Sequence, residues 1–360
     1  MSADASGTGS GAADIDAARL ARYIEEHVAR FSGALDIHKV AGGQSNPTYI
    51  VGAGSQRYVL RCKPRGHLLP SAHAVDREYR VLDALRHTEV PVPRARVLCE
   101  DPAVLGASFY LMDCVAGRIL GDQTLPDSTP GERRQMYEEL NRVLALLHAV
   151  DYKSIGLAGY GREERYVERQ IERWSRQYRA AQTRVIEPME RLMAWLPARI
   201  PAQQGTSIVH GDYRLDNVIF HPTEPRIVAV LDWELSTLGD PLVDFAYHCM
   251  SWRLPLGTHR TLAGVDLGPL GIPTEAEHVA AYCRRSGRER IDHWQFYMAF
   301  NMFRMAAIQQ GVAKRALDGN AAHDKAQAVG ARVEATAAAG WREAQQLSGG
   351  AGSCPGGSPQ

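Results

Sequence analysis

Four residues could carry phosphoryl chemistry in this chain, and three of them lie within eight positions. In Ile208-Val209-His210-Gly211-Asp212-Tyr213-Arg214-Leu215-Asp216-Asn217-Val218-Ile219-Phe220, an apolar pair leads into His-x-Asp. Four residues follow, then Asn, then an apolar strand. Moving a γ-phosphoryl group to a hydroxyl needs positioning and charge neutralisation more than covalent help. Asp212 would accept or orient the proton of the attacking hydroxyl, with His210 as its catalytic companion. Asn217 would reach back over the loop to a magnesium ion. Ile227-Val228-Ala229-Val230-Leu231 then closes on Asp232, as a buried strand delivering a carboxylate to a metal would. Asp232 would bridge the β- and γ-phosphates through magnesium, which accepts few protein ligands and keeps much of its water. His-x-Asp alone, or an Asn in a turn, is weak evidence; the spacing together with the strand ending at Asp232 is specific.

Those residues need elements to hold them. The first third of the chain reads as mostly β and the rest as mostly α. An opening helix presents Leu20, Ile24 and Phe31, and strands follow at Asp36–Val40, Thr48–Val51 and Tyr58–Cys62, the last two joined by a turn over Gly52-Ala53-Gly54-Ser55. A helix with Val75, Tyr79, Leu82 and Leu85 precedes strands at Ala95–Cys99 and Ser108–Met112, which flank a turn at Asp101-Pro102. From Gly131 helices dominate, among them Gln135–Val150 and Asp292–Arg315, interrupted by one β island at Val218–Phe220 and Ile227–Leu231. The fold class is therefore α+β and bilobal. Residues 14–112 form a small β-rich N-lobe with one main helix, and 113–347 a larger, mostly helical C-lobe reached by a connector at Asp113–Gly117. This layout resembles that of a protein kinase. The low-complexity ends, 1–13 and 348–360, are expected to be disordered tails.

Composition narrows the classes further. With 360 residues, 45% hydrophobic and 23% charged, the chain suits a soluble globular protein, and Lys+Arg balances Asp+Glu at 41 each. No global field recruits nucleic acid or an acidic membrane. The six cysteines show no paired spacing, which favours a reducing cytoplasm over a disulfide framework or structural zinc site. No apolar run approaches a membrane span, and the N-terminus does not read as a secretory signal.

The His210–Asn217 segment resembles the catalytic loop of the aminoglycoside-phosphotransferase and choline-kinase branch of the protein-kinase-like fold, where His-Gly-Asp-x-x-x-x-Asn is typical. Gly239-Asp240-Pro241-Leu242-Val243-Asp244 fits the same branch. The resemblance implies that Asp244 anchors the catalytic loop, and Asp216 and Asp240 read as structural. It also implies ATP and Mg2+ as cofactors. Ala41-Gly42-Gly43-Gln44-Ser45-Asn46-Pro47-Thr48 looks like the phosphate-covering loop, with Ser45, Asn46 and Thr48 touching phosphate. Arg61 takes the slot of the strand lysine that grips the α- and β-phosphates, with Lys63 as the fallback cation. Glu78 would be its acidic partner, and the main chain of Asp113 and Val115 would meet adenine, so preference for ATP over GTP is inferred from the resemblance.

Substrate choice should come from the helical lobe, where the charge is basic. Residues 281–316 carry seven Lys/Arg against two acids, and residues 151–180 carry seven against five. A polycationic aminoglycoside would be repelled there, and an anionic substrate drawn in. Tyr166–Trp174 and Ala307–Arg315 are similar to segments of kinase domains fused to acyl-CoA dehydrogenases, which implies a 4-hydroxyacyl-CoA acceptor and Arg169, Trp174, Gln309 and Arg315 as substrate residues. Such a chain would act as a free-standing kinase feeding a separate acyl-CoA dehydrogenase. Two alternatives stay open: an aminoglycoside-, choline- or homoserine-type kinase of the same fold, and a nucleotide-binding pseudokinase, for which only Arg61 in the lysine slot speaks.

Overall fold

The computed structural model describes residues 15–40, 46–64, 74–255, 260–318 and 323–349. In the N-lobe α1 (Ala17–His27) leads into β1 (Asp36–Lys39), β2 (Thr48–Ala53) and β3 (Gln56–Cys62). Then come α2 (Val75–Leu85), β4 (Ala95–Cys99), the one-turn α3 (Pro102–Leu105) and β5 (Phe109–Asp113). The strands make one antiparallel sheet in the order β1-β2-β3-β5-β4. Because side chains alternate along a strand, each strand serves two layers. Tyr58, Leu60, Phe109 and Leu111 pack with Leu20 and Ile24 of α1. Val59, Tyr110 and Met112 turn the other way, toward α2, and Arg61 alternates with Leu60 onto that same face.

Three local expectations change. Ala53 pairs with Gln56, so the hairpin turn is only Gly54-Ser55, with Gly54 at φ +61. Phe31 lies beyond the end of α1, although it packs on the same cluster. Asp101-Pro102 is no plain turn: Asp101 accepts the Ala103 N–H and Pro102 occupies the first position of α3.

The C-lobe runs through α4 (Pro130–Ala149), α5 (Tyr166–Ala181), α6 (Glu187–Trp195), β6 (Ser207–Val209), β7 (Val218–Phe220), β8 (Ile227–Val230) and β9 (Thr237–Gly239). It ends with α7 (Pro241–Cys249), α8 (Leu267–Leu270), α9 (Glu275–Ser286), α10 (Trp294–Leu317) and α11 (His323–Gly349). Helix α4 begins at Pro130, not Gln135, because Thr129 and Glu132 form a reciprocal capping box at its start. The β7–β8 hairpin is the expected island, but β6 pairs with β9 in a second one. Residues 348 and 349, expected in the tail, still belong to α11; residues 1–13 and 350–360 lie outside the described residues. No helix among those residues is long and apolar enough to cross a membrane.

The large C-lobe core includes Val75, Val81, Leu82 and Leu85 of α2, so this helix packs with both lobes. Arg77 of α2 reinforces the junction: it donates to the Tyr160 carbonyl at 2.7 Å and lies 4.3 Å from the centroid of that ring. The connector is pinned as well. Arg118 and Phe220 exchange backbone hydrogen bonds, and a Cβ on Gly117 would stand 2.2 Å from the Phe220 carbonyl oxygen. Nothing lies within 4 Å of a Cβ on Gly121. Gly117→Ala should therefore destabilise by about 1–3 kcal/mol through overpacking, read as a lower thermal midpoint, while Gly121→Ala leaves it near the parent's.

Candidate active site

The short β6–β9 pair brings the stretch before His210 against the stretch that leads into α7. Asp240 caps α7 by accepting the Leu242 N–H at 2.9 Å. Asp244, in the first turn of α7, accepts the N–H groups of His210 at 2.6 Å and Gly211 at 2.8 Å. Burial works against its charge, but the hydrogen bond and charge of His148, then the hydrogen bond from the His210 N–H, hold its carboxyl below the ordinary aspartate range. Gly211 sits at φ +83 with the Leu235 carbonyl oxygen 2.9 Å from where a Cβ would be, so the bend requires glycine.

His210 is not placed for chemistry. It is fully buried, and its Nδ1 accepts the Asp212 N–H at 3.2 Å. That fixes the proton on Nε2, which donates to the Leu231 carbonyl at 2.8 Å. The imidazole straps the catalytic loop to the end of β8, one residue before Asp232. Its expected catalytic role gives way to a positioning one.

Asp212 and the two expected metal ligands do come together. Asp212 Oδ2 accepts from Asn217 Nδ2 at 2.9 Å and Arg214 Nε at 3.0 Å, and Oδ1 accepts from the Tyr247 hydroxyl. Asn217 Nδ2 also holds the Asp212 carbonyl at 2.9 Å, which leaves its amide oxygen as the group able to meet a cation. The Asn217 carbonyl accepts the Leu231 N–H at 2.8 Å, setting Asn217 beside Asp232. Asp232 is left-handed at φ 65, ψ 63, which lifts its carboxylate out of the strand line, one-third exposed. An amide oxygen and a carboxylate on adjacent segments fit magnesium, which draws its remaining ligands from phosphates and water. No cluster of three or more His, Cys, Asp or Glu able to hold a metal exists among the described residues.

Across the cleft, Arg61 Nε lies 2.9 Å from Glu78 Oε2, and its Nη2 reaches Glu78 Oε1 at 3.3 Å and Asp232 Oδ1 at 3.4 Å. Burial opposes the guanidinium charge, yet Glu78, together with Asp232, holds the Arg61 pKa above its ordinary value. Glu78 is 1% exposed, and burial pushes its own pKa up. Its remaining neighbours are donors, Asn46 Nδ2 at 2.6 Å and the Tyr110 hydroxyl at 2.9 Å, so the ionised form suits the site. Asn46, expected to touch phosphate, is buried and gives its amide nitrogen to Glu78. Thr48 faces Arg61 across the β2–β3 ladder and donates to the Asn46 carbonyl at 3.0 Å. Lys63 lies just past the end of β3, and Ser45 lies outside the described residues. In the connector the Asp113 N–H already donates to the Arg94 carbonyl, and its carboxylate holds Arg96 at 2.6 and 2.8 Å. The Asp113 carbonyl and the Val115 backbone are the groups there that could meet a base.

The substrate residues divide. Trp174 is buried and lies 5.6 Å from Arg304, whose Nη2 donates to the Gly211 carbonyl at 2.6 Å. Arg169 lies one turn before Arg173, the other arginine on that indole. Arg315 is exposed and stands eleven residues beyond Arg304 on α10, about 16 Å along the axis; it is not brought to the loop. Gln309 falls between, half-buried. Arg214 and Tyr247 were given no role from the sequence, and Arg304 entered only as one of the seven basic residues of 281–316, although a lone arginine inside the apolar run of α10 was a visible signal. Asp216, read as structural, pairs with Arg214 at 3.0 Å and Arg260 at 2.9 Å. The depressed Asp244 carboxyl contributes stability that is present above the ordinary aspartate pKa and lost as pH falls through the folded value. Asp244→Asn should accordingly lower the thermal midpoint at neutral pH, and the gap to the parent should narrow as the melts move to acid.

The phosphotransferase enzyme family model matches residues 36–300. Acyl-CoA dehydrogenase family member 10 of Mus musculus is 46% identical over 325 residues, covering 89% of this chain and 30% of that protein. The probable acyl-CoA dehydrogenase IBR3 of Arabidopsis thaliana is 43% identical, covering 84% of this chain and 39% of that protein. The chain thus spans between about a third and two-fifths of the length of these relatives. A crystal structure from Ralstonia eutropha, provisionally named an aminoglycoside phosphotransferase, is 49% identical with TM-score 0.84, covering 92% of this chain and 99% of that one. Choline kinase from Cryptosporidium parvum shares the fold at TM-score 0.60 and 10% identity, over 88% of this chain and 91% of that one. The chain belongs to the phosphotransferase enzyme family and is a small-molecule phosphotransferase of the protein-kinase-like fold.

Proposed function

We propose that the protein transfers the γ-phosphoryl group of ATP to the hydroxyl of an anionic small molecule, a 4-hydroxyacyl-CoA, and that the product passes to an acyl-CoA dehydrogenase. The observation that carries the transfer step is the junction of Asp212, Asn217 and Asp232 through the hydrogen bond from the Leu231 N–H to the Asn217 carbonyl. Magnesium held by Asn217 and Asp232 would neutralise charge on the β- and γ-phosphates. Arg61, kept charged by Glu78, faces the same space and would hold phosphate oxygens. Asp212 takes the hydroxyl proton, and Asn217, Arg214 and Tyr247 fix its carboxylate in one orientation. Burial and the Asp212 charge hold the Tyr247 pKa well above its ordinary value, so it remains a donor to that carboxylate. ADP is bound in the hygromycin phosphotransferase of the same fold, which supports a nucleotide donor.

The acceptor reading rests on charge and on relatives. Arginines, not carboxylates, flank the catalytic loop on the α5–α10 side, as suits an anion and repels a polyamine. The relatives at 46% and 43% identity carry the name acyl-CoA dehydrogenase, a class whose substrates are CoA thioesters. The name of the Ralstonia eutropha neighbour favours an aminoglycoside instead. Mass spectrometry of reactions with ATP, magnesium and either 4-hydroxypentanoyl-CoA or kanamycin separates the two. Phosphorylation of the thioester alone is expected, and phosphorylation of the aminoglycoside alone would overturn the acceptor.

Asp212→Asn should lower kcat by about 10²–10⁴-fold, the range of a lost general base, with nucleotide binding nearly intact by calorimetry. Asp232→Ala should also lose magnesium-dependent nucleotide binding. Substantial activity in Asp212→Asn would remove Asp212 from the proton-transfer role. Arg61→Ala should weaken ATP binding and lower turnover, and Arg61→Lys should restore part of both. Parent-like kinetics in Arg61→Ala would pass the phosphate contact to Lys63.

A further inference from the structure

Arg304 and Arg173 share one indole beside the catalytic loop, with Arg169 one turn away on α5, and among the described residues none of the three forms an ion pair with a carboxylate. Arg304 rises from the middle of α10, between Phe303 and Met305, and is 5% exposed. Its Nη2 donates to the Gly211 carbonyl at 2.6 Å, and its guanidinium lies 5.6 Å from the Trp174 ring centroid and 5.1 Å from that of Tyr247. Its Nε is buried without a hydrogen-bond partner. Arg173 of α5 lies 5.4 Å from the same indole centroid. Arg169, one turn earlier, donates to the Arg162 carbonyl at 2.7 Å. Tyr166, at the start of α5, is buried, and its ring fills the space where a Cβ on Gly239 would stand.

The acids of this neighbourhood are engaged elsewhere. Glu168 is paired with Arg165, Asp240 caps α7 and meets Tyr297, and Asp244 holds the loop N–H groups and His148. Asp212 accepts from Asn217, Arg214 and Tyr247, and Glu172 is exposed to solvent. A buried guanidinium that lacks a counter-charge is costly, and a second cation on the same ring adds repulsion. Arg173 is exposed, so the burial cost falls on Arg304, and the two guanidinium charges act against each other across the shared indole. An anion placed between these groups would relieve both penalties.

The place matters as much as the charge. Gly211 immediately precedes Asp212, so a group at Arg304 stands about one or two residue lengths, roughly 4–8 Å, from the Asp212 backbone. A ligand anion there is only a few bonds from the hydroxyl presented to Asp212, and Arg173 and Arg169 continue the site outward along α5.

Resting on the phosphoryl-transfer reading above, we propose that Arg304, Arg173 and Arg169 form the subsite that receives an oxyanion of the acceptor and aligns its hydroxyl with Asp212. The oxyanion is either the carboxylate of a free hydroxy acid or a phosphate of its CoA thioester. Calorimetric titration of the full chain, with ADP and magnesium present, separates these sources: one arm uses 4-hydroxypentanoyl-CoA and the other 4-hydroxypentanoate. Arg173→Gln should weaken binding by about tenfold to a hundredfold, the effect of losing one charge-assisted contact, and Arg173→Lys should recover part. The salt dependence of binding should flatten in Arg173→Gln. A shift in the 4-hydroxypentanoate arm assigns the carboxylate, and a shift in the thioester arm alone assigns the CoA phosphates. Arg173→Gln binding that matches the parent in both arms, with native circular dichroism, overturns the subsite; so does a parent that binds neither ligand. Binding that depends on Arg173 without any phosphorylated product would count against phosphoryl transfer and leave the anion site standing.

Discussion

Asp244 lies in the first turn of α7 with its two oxygens on the peptide N–H groups of His210 and Gly211. These two donors sit at the bend where a chain coming out of β6 must turn to present Asp212, and such buried donors need acceptors. The carboxylate satisfies both at once and is itself sheltered among His148 and the C-lobe core. Every other contact of the loop assumes this bend. His210, once turned inward, can reach the Leu231 carbonyl, and Asn217 can fold back onto Asp212. Asp212 and Asp232 are therefore positioned by one fold of the chain.

The nucleotide side depends on a second buried carboxylate. Glu78 belongs to α2, which packs into the C-lobe core while its acid faces Arg61 on the sheet. Arg61 reaches Asp232 from there, so a cation of the N-lobe and an anion of the C-lobe meet across the cleft. Asn46 and Tyr110 complete the shell of Glu78 from β-lobe positions on either side. A nucleotide entering this space would meet charges already oriented, with little reorganisation left to the moment of transfer.

The sequence was most legible where the chemistry is local. Asp212 and Asn217 lie in one loop, and the apolar run ending at Asp232 is a strand whatever its partner. The strands of the N-lobe sheet were likewise legible as short runs bounded by turns. What stayed hidden depends on distant partners. The three-residue strands β6 and β9 are too short to show a period and exist because they pair across the loop between them. Tyr247 and Arg304 reach the loop from 35 and 93 residues away. His210 carries a residue type that suggests reactivity, and only its burial and its two bonds reveal a strap. Asn46 looked like a phosphate contact until its buried partner, Glu78, was in view.

In the proposed mechanism the chain's own residues serve proton transfer and charge neutralisation, and no protein nucleophile carries the phosphoryl group. The stereochemical course of the reaction tests this directly, with ATP made chiral at the γ-phosphorus by isotopes of oxygen and sulfur, magnesium, and 4-hydroxypentanoyl-CoA as acceptor. Direct in-line attack of the hydroxyl beside Asp212 predicts inversion at phosphorus in the product. Retention would require a phosphorylated protein intermediate and would contradict the mechanism.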